Sequence, residues 1–175
     1  MRTENEINFL AFPQIRDSVV VFGSGCGFEM LRQAEWLARC RIHYWGDIDT
    51  HGFAILDQLR SQFIHVESFL MDRPTLFAFE LQWGEELQPT RRDLVRLTPA
   101  ESALYDELRD NRIRKNLRLE QERIGFGWVT AAVSALLVLQ SNVIATGARR
   151  SSPALLPREE GCIPEQRPRE DSGEG

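Results

Sequence analysis

The sequence predicts an α/β fold: a parallel sheet flanked by helices, followed by a helical C-terminal part and a disordered tail. Short apolar runs rich in β-branched and aromatic residues indicate buried strands at residues 19–22, 42–45 and 66–71. Between them, residues 28–40 and 52–63 carry apolar side chains at helical spacing. Strands that alternate with helices through short connections are joined by right-handed crossovers, so we expect the strands to be parallel.

The elements divide the 175-residue chain into three predicted parts. Residues 1–73 form the α/β core, which opens with a short helix at residues 4–12. Residues 74–146 form a mainly helical extension, with one helix capped by Thr98 and another over residues 113–124. Residues 147–175 are dominated by Pro, Gly, Ser, Glu and Arg without periodicity, which predicts disorder.

Composition points to a water-soluble chain in a reducing compartment. The 42% hydrophobic and 27% charged residues are typical of a globular domain. The odd number of cysteines, without metal-ligand spacing, argues against a disulfide framework and favours the cytoplasm. The most apolar run, residues 128–139, is short for a membrane span and suits a buried helix, so we expect no membrane contact.

Two aspartates one residue apart are the strongest chemical signal. Asp47 and Asp49 follow a predicted strand, and in extended backbone residues i and i+2 project to the same side. Neighbouring carboxylates stay ionised when a hard cation such as Mg²⁺ lies between them. Thr50 can cap the next helix and Gly52 permits close approach of backbone or ligand. The same residues also suit ordinary turn and cap chemistry, so the pair alone leaves both interpretations open.

Basic residues are concentrated between residues 109 and 123, although the whole chain carries a net charge of −5. Six basic residues stand there against three acidic ones, and Lys115 and Arg118 are candidates for contacts with a DNA backbone. A solvent-exposed helical face is the other explanation for alternating Arg and Glu. His51 beside the aspartates is a candidate proton shuttle, or a turn residue that touches a phosphate. The glycine-rich turn at residues 23–27 either binds a phosphate through its N–H groups or simply reverses the chain.

Three segments, in this order and spacing, resemble the Toprim fold. Residues 3–9 are similar to the segment that carries the family's single glutamate, residues 19–27 to its second strand and glycine turn, and residues 46–53 to its Asp-x-Asp turn. Within that fold the chain resembles the C-terminal domain of JetD, the nuclease subunit of the Wadjet plasmid-defence system and a relative of the topoisomerase VI A subunit. Residues 4–13, 44–53 and 117–124 carry this likeness.

The resemblance implies a metal-dependent DNA endonuclease that hydrolyses phosphodiester bonds. It implies that Glu4, Asp47 and Asp49 are both the catalytic and the metal-binding residues, and that the cofactor is Mg²⁺ or Mn²⁺. The implied partners are double-stranded plasmid DNA, a second copy of the chain, and the SMC-type subunits of the Wadjet complex. His51, Lys115 and Arg118 are the candidate nucleic-acid contacts.

The sequence departs from this family at its beginning. The family's first strand should precede the glutamate, yet only residues 1–3 stand before Glu4, and the N-terminal DNA-engaging domains are missing. We therefore expect a fragment of a longer protein. One alternative is a non-catalytic dimerisation or docking module of the same complex, and another is a topoisomerase VI-like DNA-cleaving subunit. A haloacid-dehalogenase-type phosphotransferase also uses Asp-x-Asp, but it requires Thr or Val where His51 stands.

Overall fold

A computed structural model describes residues 2–3, 10, 12–22 and 34–147. The chain divides into a unit of residues 1–138 and a second unit of residues 139–175, of which only the backbone of a helix end is described. The glycine turn at residues 23–27 and Glu4 lie outside the described residues, as does most of the predicted helix at residues 4–12. The predicted disorder of residues 147–175 also falls outside them, except for Gly147.

A four-stranded sheet forms the centre of the first unit. Its strands are β1 (Arg2–Thr3), β2 (Val21–Phe22), β3 (His43–Trp45) and β4 (Glu67–Ser68). They lie in the order β2-β1-β3-β4, and every neighbouring pair is parallel, which confirms the predicted α/β class and strand direction.

A short strand precedes Glu4, in the part of the chain that contains only residues 1–3. Residues Arg2–Thr3 form a short strand in the interior of the sheet, between β2 and β3, and Thr3 is in register with both Phe22 and Trp45. Two residues are too few to show any periodicity in sequence. Only the pairing with strands on both sides defines this segment as β-structure.

Four α-helices are described, three of them near the bounds that the sequence predicts or implies. They are α1 (Thr50–Arg60), α2 (Arg73–Ala78), α3 (Pro99–Arg109) and α4 (Phe126–Gly147). Short 3₁₀ helices occur at Glu35–Arg39, Glu80–Gln82 and Gln121–Arg123. The predicted cap of α3 is confirmed, because the Thr98 side chain accepts from the Glu101 N–H while the Glu101 side chain accepts from the Thr98 N–H.

The predicted helix over residues 113–124 was wrong. Leu117–Arg118 is instead strand β6, which pairs antiparallel with β5 (Gly84–Glu85). Asn111 and Asn116 adopt left-handed backbone, with φ of 57° and 47°, and this conformation stops a right-handed helix on both sides of residue 113. The extension after residue 73 therefore contains a small antiparallel sheet as well as helices.

The core lies between the parallel sheet and helices α1 and α3. Tyr44 and Trp45 of β3 are fully buried, and the rings of Phe53 and Tyr105 meet edge to face across the two helices, with centroids 6.3 Å apart. Burying these aromatic rings removes a large apolar area from water and packs α1 against α3.

Over residues 126–138, helix α4 is buried on one face and exposed on the other, so the prediction of a buried helix over residues 128–139 is corrected. Val129 and Val133 are buried, whereas Trp128, Leu137 and Val138 are exposed. Across the described ranges, no helix combines the length and the apolar character that crossing a membrane requires.

Candidate functional site

The Asp-x-Asp turn lies where the connections of the sheet diverge. From β1 the chain runs to β2 on one side, and β3 and β4 then add on the other side. Crevices at such a switch point, outside the carboxyl ends of the strands, are where open parallel sheets bind ligands. Asp47 and Asp49 directly follow β3, whose last residue, Trp45, is in register with Thr3 at the end of β1.

Asp49, not Thr50 as the sequence suggested, caps helix α1. Its carboxylate oxygen Oδ1 accepts a hydrogen bond of 2.7 Å from the backbone N–H of Gly52, and the residue is 2% exposed. A side chain at Gly52 would not fit, since an added Cβ would lie less than 3.0 Å from the backbone carbonyl of Asp47. Gly52 therefore allows the first turn of α1 to pack directly on the Asp47 backbone.

Glu86 is a third carboxylate of the site, and sequence reasoning missed it. Its side chain is buried and accepts from the backbone N–H groups of Thr50 and His51, at 3.2 and 3.1 Å, and from the Thr50 hydroxyl at 2.8 Å. The Glu86 N–H in turn donates to the carbonyl of Asn116 at 2.7 Å, next to the β5–β6 pairing. No local pattern marks Glu86, because tertiary pairing brings it to a helix more than thirty residues away.

Arg118 joins the two aspartates through one guanidinium group. Its Nη2 donates to Oδ2 of Asp47, and its Nε lies 3.4 Å from Oδ2 of Asp49. The other Asp47 oxygen accepts from the Gln121 N–H at 2.9 Å. Ile48 and Leu119 exchange backbone hydrogen bonds of 2.9 and 3.1 Å, so the segment after β6 runs antiparallel along the Asp-x-Asp turn.

The site carries more negative than positive charge. Burial raises the pKa of Asp49 to about 7, and the charges of Glu86 and Asp47 add to this, while the Gly52 hydrogen bond and Arg118 oppose it. Burial lowers the pKa of Arg118, but the neighbouring charges of Asp47 and Asp49 outweigh burial and raise the pKa above its ordinary value. The charge of Arg118 therefore does not offset the effects of burial and of the neighbouring carboxylates on Asp49.

The two aspartates fit part of a divalent-cation site. Both are oxygen donors, which Mg²⁺ and Mn²⁺ prefer, and both already turn toward one cationic group, the Arg118 guanidinium. Within the described ranges, no three His, Cys, Asp or Glu residues are grouped so that they could hold a metal ion together. Glu4, the third ligand that the sequence suggested, lies outside those ranges.

The candidate nucleic-acid contacts have different surroundings. His51 is exposed in the first turn of α1, and Lys115 is exposed in the turn that precedes β6. Arg118 is 35% exposed at its side chain and contacts the aspartates, so it does not lie on a solvated helical face. Of the three, Arg118 is the one that the structure places against Asp47 and Asp49.

Comparison with known families identifies the chain at the domain level. Residues 1–133 match the family described as Wadjet protein JetD, C-terminal, which is 133 of the 175 residues. The match includes all the site residues described above. No curated protein matches the chain. The chain therefore belongs to the family of C-terminal domains of the Wadjet protein JetD.

Proposed function

We propose that the chain is the metal-dependent DNA endonuclease domain of a Wadjet plasmid-defence complex, with a Toprim-like fold related to the topoisomerase VI A subunit. One observation supports the proposal most strongly. The carboxylates of Asp47 and Asp49 both contact the Arg118 guanidinium at the switch point of a parallel sheet. Glu4 follows Thr3 directly in the sequence, and Thr3 is in register with Trp45 at the end of β3. On this basis we propose Glu4, and not Glu86, as the third metal ligand.

The residues of the site have separate tasks in this proposal. Asp47, Asp49 and Glu4 hold Mg²⁺ or Mn²⁺. When bound, the cation supplies Lewis acidity to a phosphodiester and lowers the pKa of attacking water. Glu86 fixes the first turn of α1 and with it the position of Asp49. Burial of Asp49 restricts water at the pair, which strengthens its attraction for a cation.

The proposed partners are double-stranded plasmid DNA, a second copy of the chain and the SMC-type subunits of the Wadjet complex. Family membership supports the last of these, since JetD is a protein of the Wadjet system. Because the net charge of −5 repels DNA, we expect contacts to depend on the divalent cation and on local basic groups, with His51, Lys115 and Arg118 as candidates.

A non-catalytic docking module of the same complex is the second candidate. The observation that favours it is that both aspartates already have structural tasks. Asp49 caps α1, and Asp47 holds the segment after β6 through Arg118 and Gln121. Under this interpretation, removing one negative charge would change stability slightly and affect no reaction.

Cleavage of supercoiled plasmid by the full chain separates the two candidates. We expect nicked or linear products with Mg²⁺ or Mn²⁺ and none with EDTA, and we expect Asp49→Asn to abolish cleavage. Asparagine keeps the shape and the capping oxygen but removes the charge that a hard cation needs. Asp93→Asn is the control, because the Asp93 side chain is 92% exposed and forms its ion pair with Arg109, not with a residue of the candidate site.

Two results would contradict the nuclease proposal. One is cleavage by Asp49→Asn at the wild-type rate. The other is the absence of metal-dependent cleavage by the wild-type chain, both alone and together with the other subunits of the complex. Circular dichroism of each variant confirms that loss of cleavage is not loss of fold.

A further inference from the structure

We propose that the Arg118 guanidinium, which contacts Asp47 and Asp49, and a divalent cation bind this pair as alternatives. The inference rests on the proposed function, because it concerns the same metal site and how that site is regulated. It follows from three features: which oxygens the guanidinium occupies, what charge the cluster carries, and where the arginine can move.

The first feature is that the guanidinium uses the oxygens that a cation would use. Asp47 has one oxygen engaged by the Gln121 N–H, and Asp49 has one engaged by the Gly52 N–H. The remaining oxygen of each residue, Oδ2 in both cases, faces Arg118. These two oxygens are the ones that would be available to a divalent cation held by the pair, so the cation and the guanidinium would compete for them.

The second feature is the charge of the cluster. Three carboxylates, of Asp47, Asp49 and Glu86, are gathered around the turn, and Arg118 is the cation that contacts two of them. A buried carboxylate is costly unless a cation or hydrogen bonds compensate its charge. A divalent ion compensates the pair more completely than one guanidinium does. Repulsion between the ion and the guanidinium at contact distance would then favour departure of the arginine.

The third feature is that the Arg118 side chain has room to move away from the aspartates. This side chain is 35% exposed, whereas that of Asp49 is 3% exposed, so the arginine is the partner in this ion pair that reaches solvent. Glu120 lies on the same segment, and its Oε1 is 3.8 Å from the Arg118 Nε. The flexible side chain can therefore leave the aspartates without disturbing β6 or the bridge between Ile48 and Leu119.

The test is Mn²⁺ affinity, measured from the electron paramagnetic resonance signal of free Mn²⁺ with the full chain. We expect Arg118→Gln to bind Mn²⁺ roughly tenfold more tightly than wild type, because the competing cation is gone. Arg118→Lys, which keeps a charge, should stay close to wild type. Arg114→Gln is the matched control, since it removes one charge from the same basic segment, and Arg114 is exposed and contacts the Trp83 carbonyl, not the aspartates or Glu120. It should change the affinity little.

A second readout follows the arginine itself. The Nε–H resonance of Arg118, assigned by its disappearance in Arg118→Gln, should shift on titration with Mg²⁺, while the Arg114 resonance stays in place. A merely structural ion pair would predict that Arg118→Gln weakens Mn²⁺ binding and that the Arg118 resonance does not move.

The outcomes separate this inference from the proposed function. Suppose that wild type binds Mn²⁺ and Asp49→Asn does not, while Arg118→Gln binds Mn²⁺ no more tightly than wild type. The proposed competition between Arg118 and the cation is then wrong, but the proposed metal site is supported. If Arg118→Gln alone binds Mn²⁺, the competition holds in its strongest form. If neither wild type nor Arg118→Gln binds Mn²⁺, both proposals are overturned.

Discussion

At the scale of single residues, the carboxylates that build the Asp-x-Asp turn are also those proposed to do chemistry. Asp49 caps α1 with one carboxylate oxygen and faces Arg118 with the other. This division lets one buried side chain serve the fold and keep an oxygen available to a cation. It also means that the geometry of the pair depends on how tightly the turn closes at Gly52.

Gly52→Ala should open that turn. The added Cβ would lie less than 3.0 Å from the Asp47 carbonyl oxygen, a backbone atom that cannot rotate away. We expect a loss of about 1–3 kcal/mol in the free energy of unfolding, measured by chemical denaturation. Gly127→Ala is the control, since an added Cβ there meets nothing within 4 Å and alanine favours the helix. Equal stability of the two variants would show that the turn is not tightly closed.

At the scale of elements, helices that local sequence signals specify are predicted correctly. Structure that depends on pairing between distant segments is not predicted. The capping box at Thr98 and the apolar spacing after Gly52 located α3 and α1, because both signals act within a few residues. Strand β6 was predicted as helix because its β-structure comes from a partner, β5, more than thirty residues away. Glu86 was missed for the same reason, although it holds the first turn of α1.

Glu86→Gln tests how much this distant carboxylate stabilises α1. A neutral amide offers one acceptor where the carboxylate offers two, so one of the N–H groups of Thr50 and His51 faces a donor instead. We expect the free energy of unfolding to fall by about 1–3 kcal/mol, even though repulsion with Asp49 is relieved.

Glu85→Gln is the matched control for this variant. Glu85 is the preceding residue and is exposed, so its substitution should change stability by no more than about 0.5 kcal/mol. If Glu86→Gln were as stable as Glu85→Gln, relief of repulsion would balance the lost hydrogen bonds. Glu86 would then have no net part in holding the helix.

At the scale of the whole molecule, the candidate site was predictable as a pair and not as a cluster. Asp47 and Asp49 were identified from sequence because strand periodicity places them on one side. Arg118 was considered only as a DNA contact, since its approach to the pair depends on the bridge between Ile48 and Leu119. The charge balance of a buried site depends on which distant segments the fold brings together. It therefore cannot be predicted from local sequence patterns.

Glu101 is another buried carboxylate whose role depends on distant contacts. It links α1, β4 and α3, and its ionisation makes the stability of the fold depend on pH. Its carboxylate accepts from Arg60 of α1 at 3.0 Å, from the Ser68 hydroxyl of β4 at 2.6 Å and from the Thr98 N–H at the start of α3 at 2.8 Å. Burial alone would raise the pKa of Glu101, but these hydrogen bonds and the Arg60 charge outweigh burial and lower the pKa to about 2, from an ordinary value of 4.5.

A depressed pKa in the folded state contributes stability that is fully present above the unfolded pKa and is lost as the pH falls. We therefore expect wild type to lose up to about 3 kcal/mol of unfolding free energy through Glu101 between pH of about 4.5 and 2. Glu101→Gln should be less stable at pH 7 and should lose less on acidification, because it lacks the titrating group. Denaturation at a series of pH values gives both curves, and parallel curves would mean that the contacts of Glu101 do not favour its ionised form.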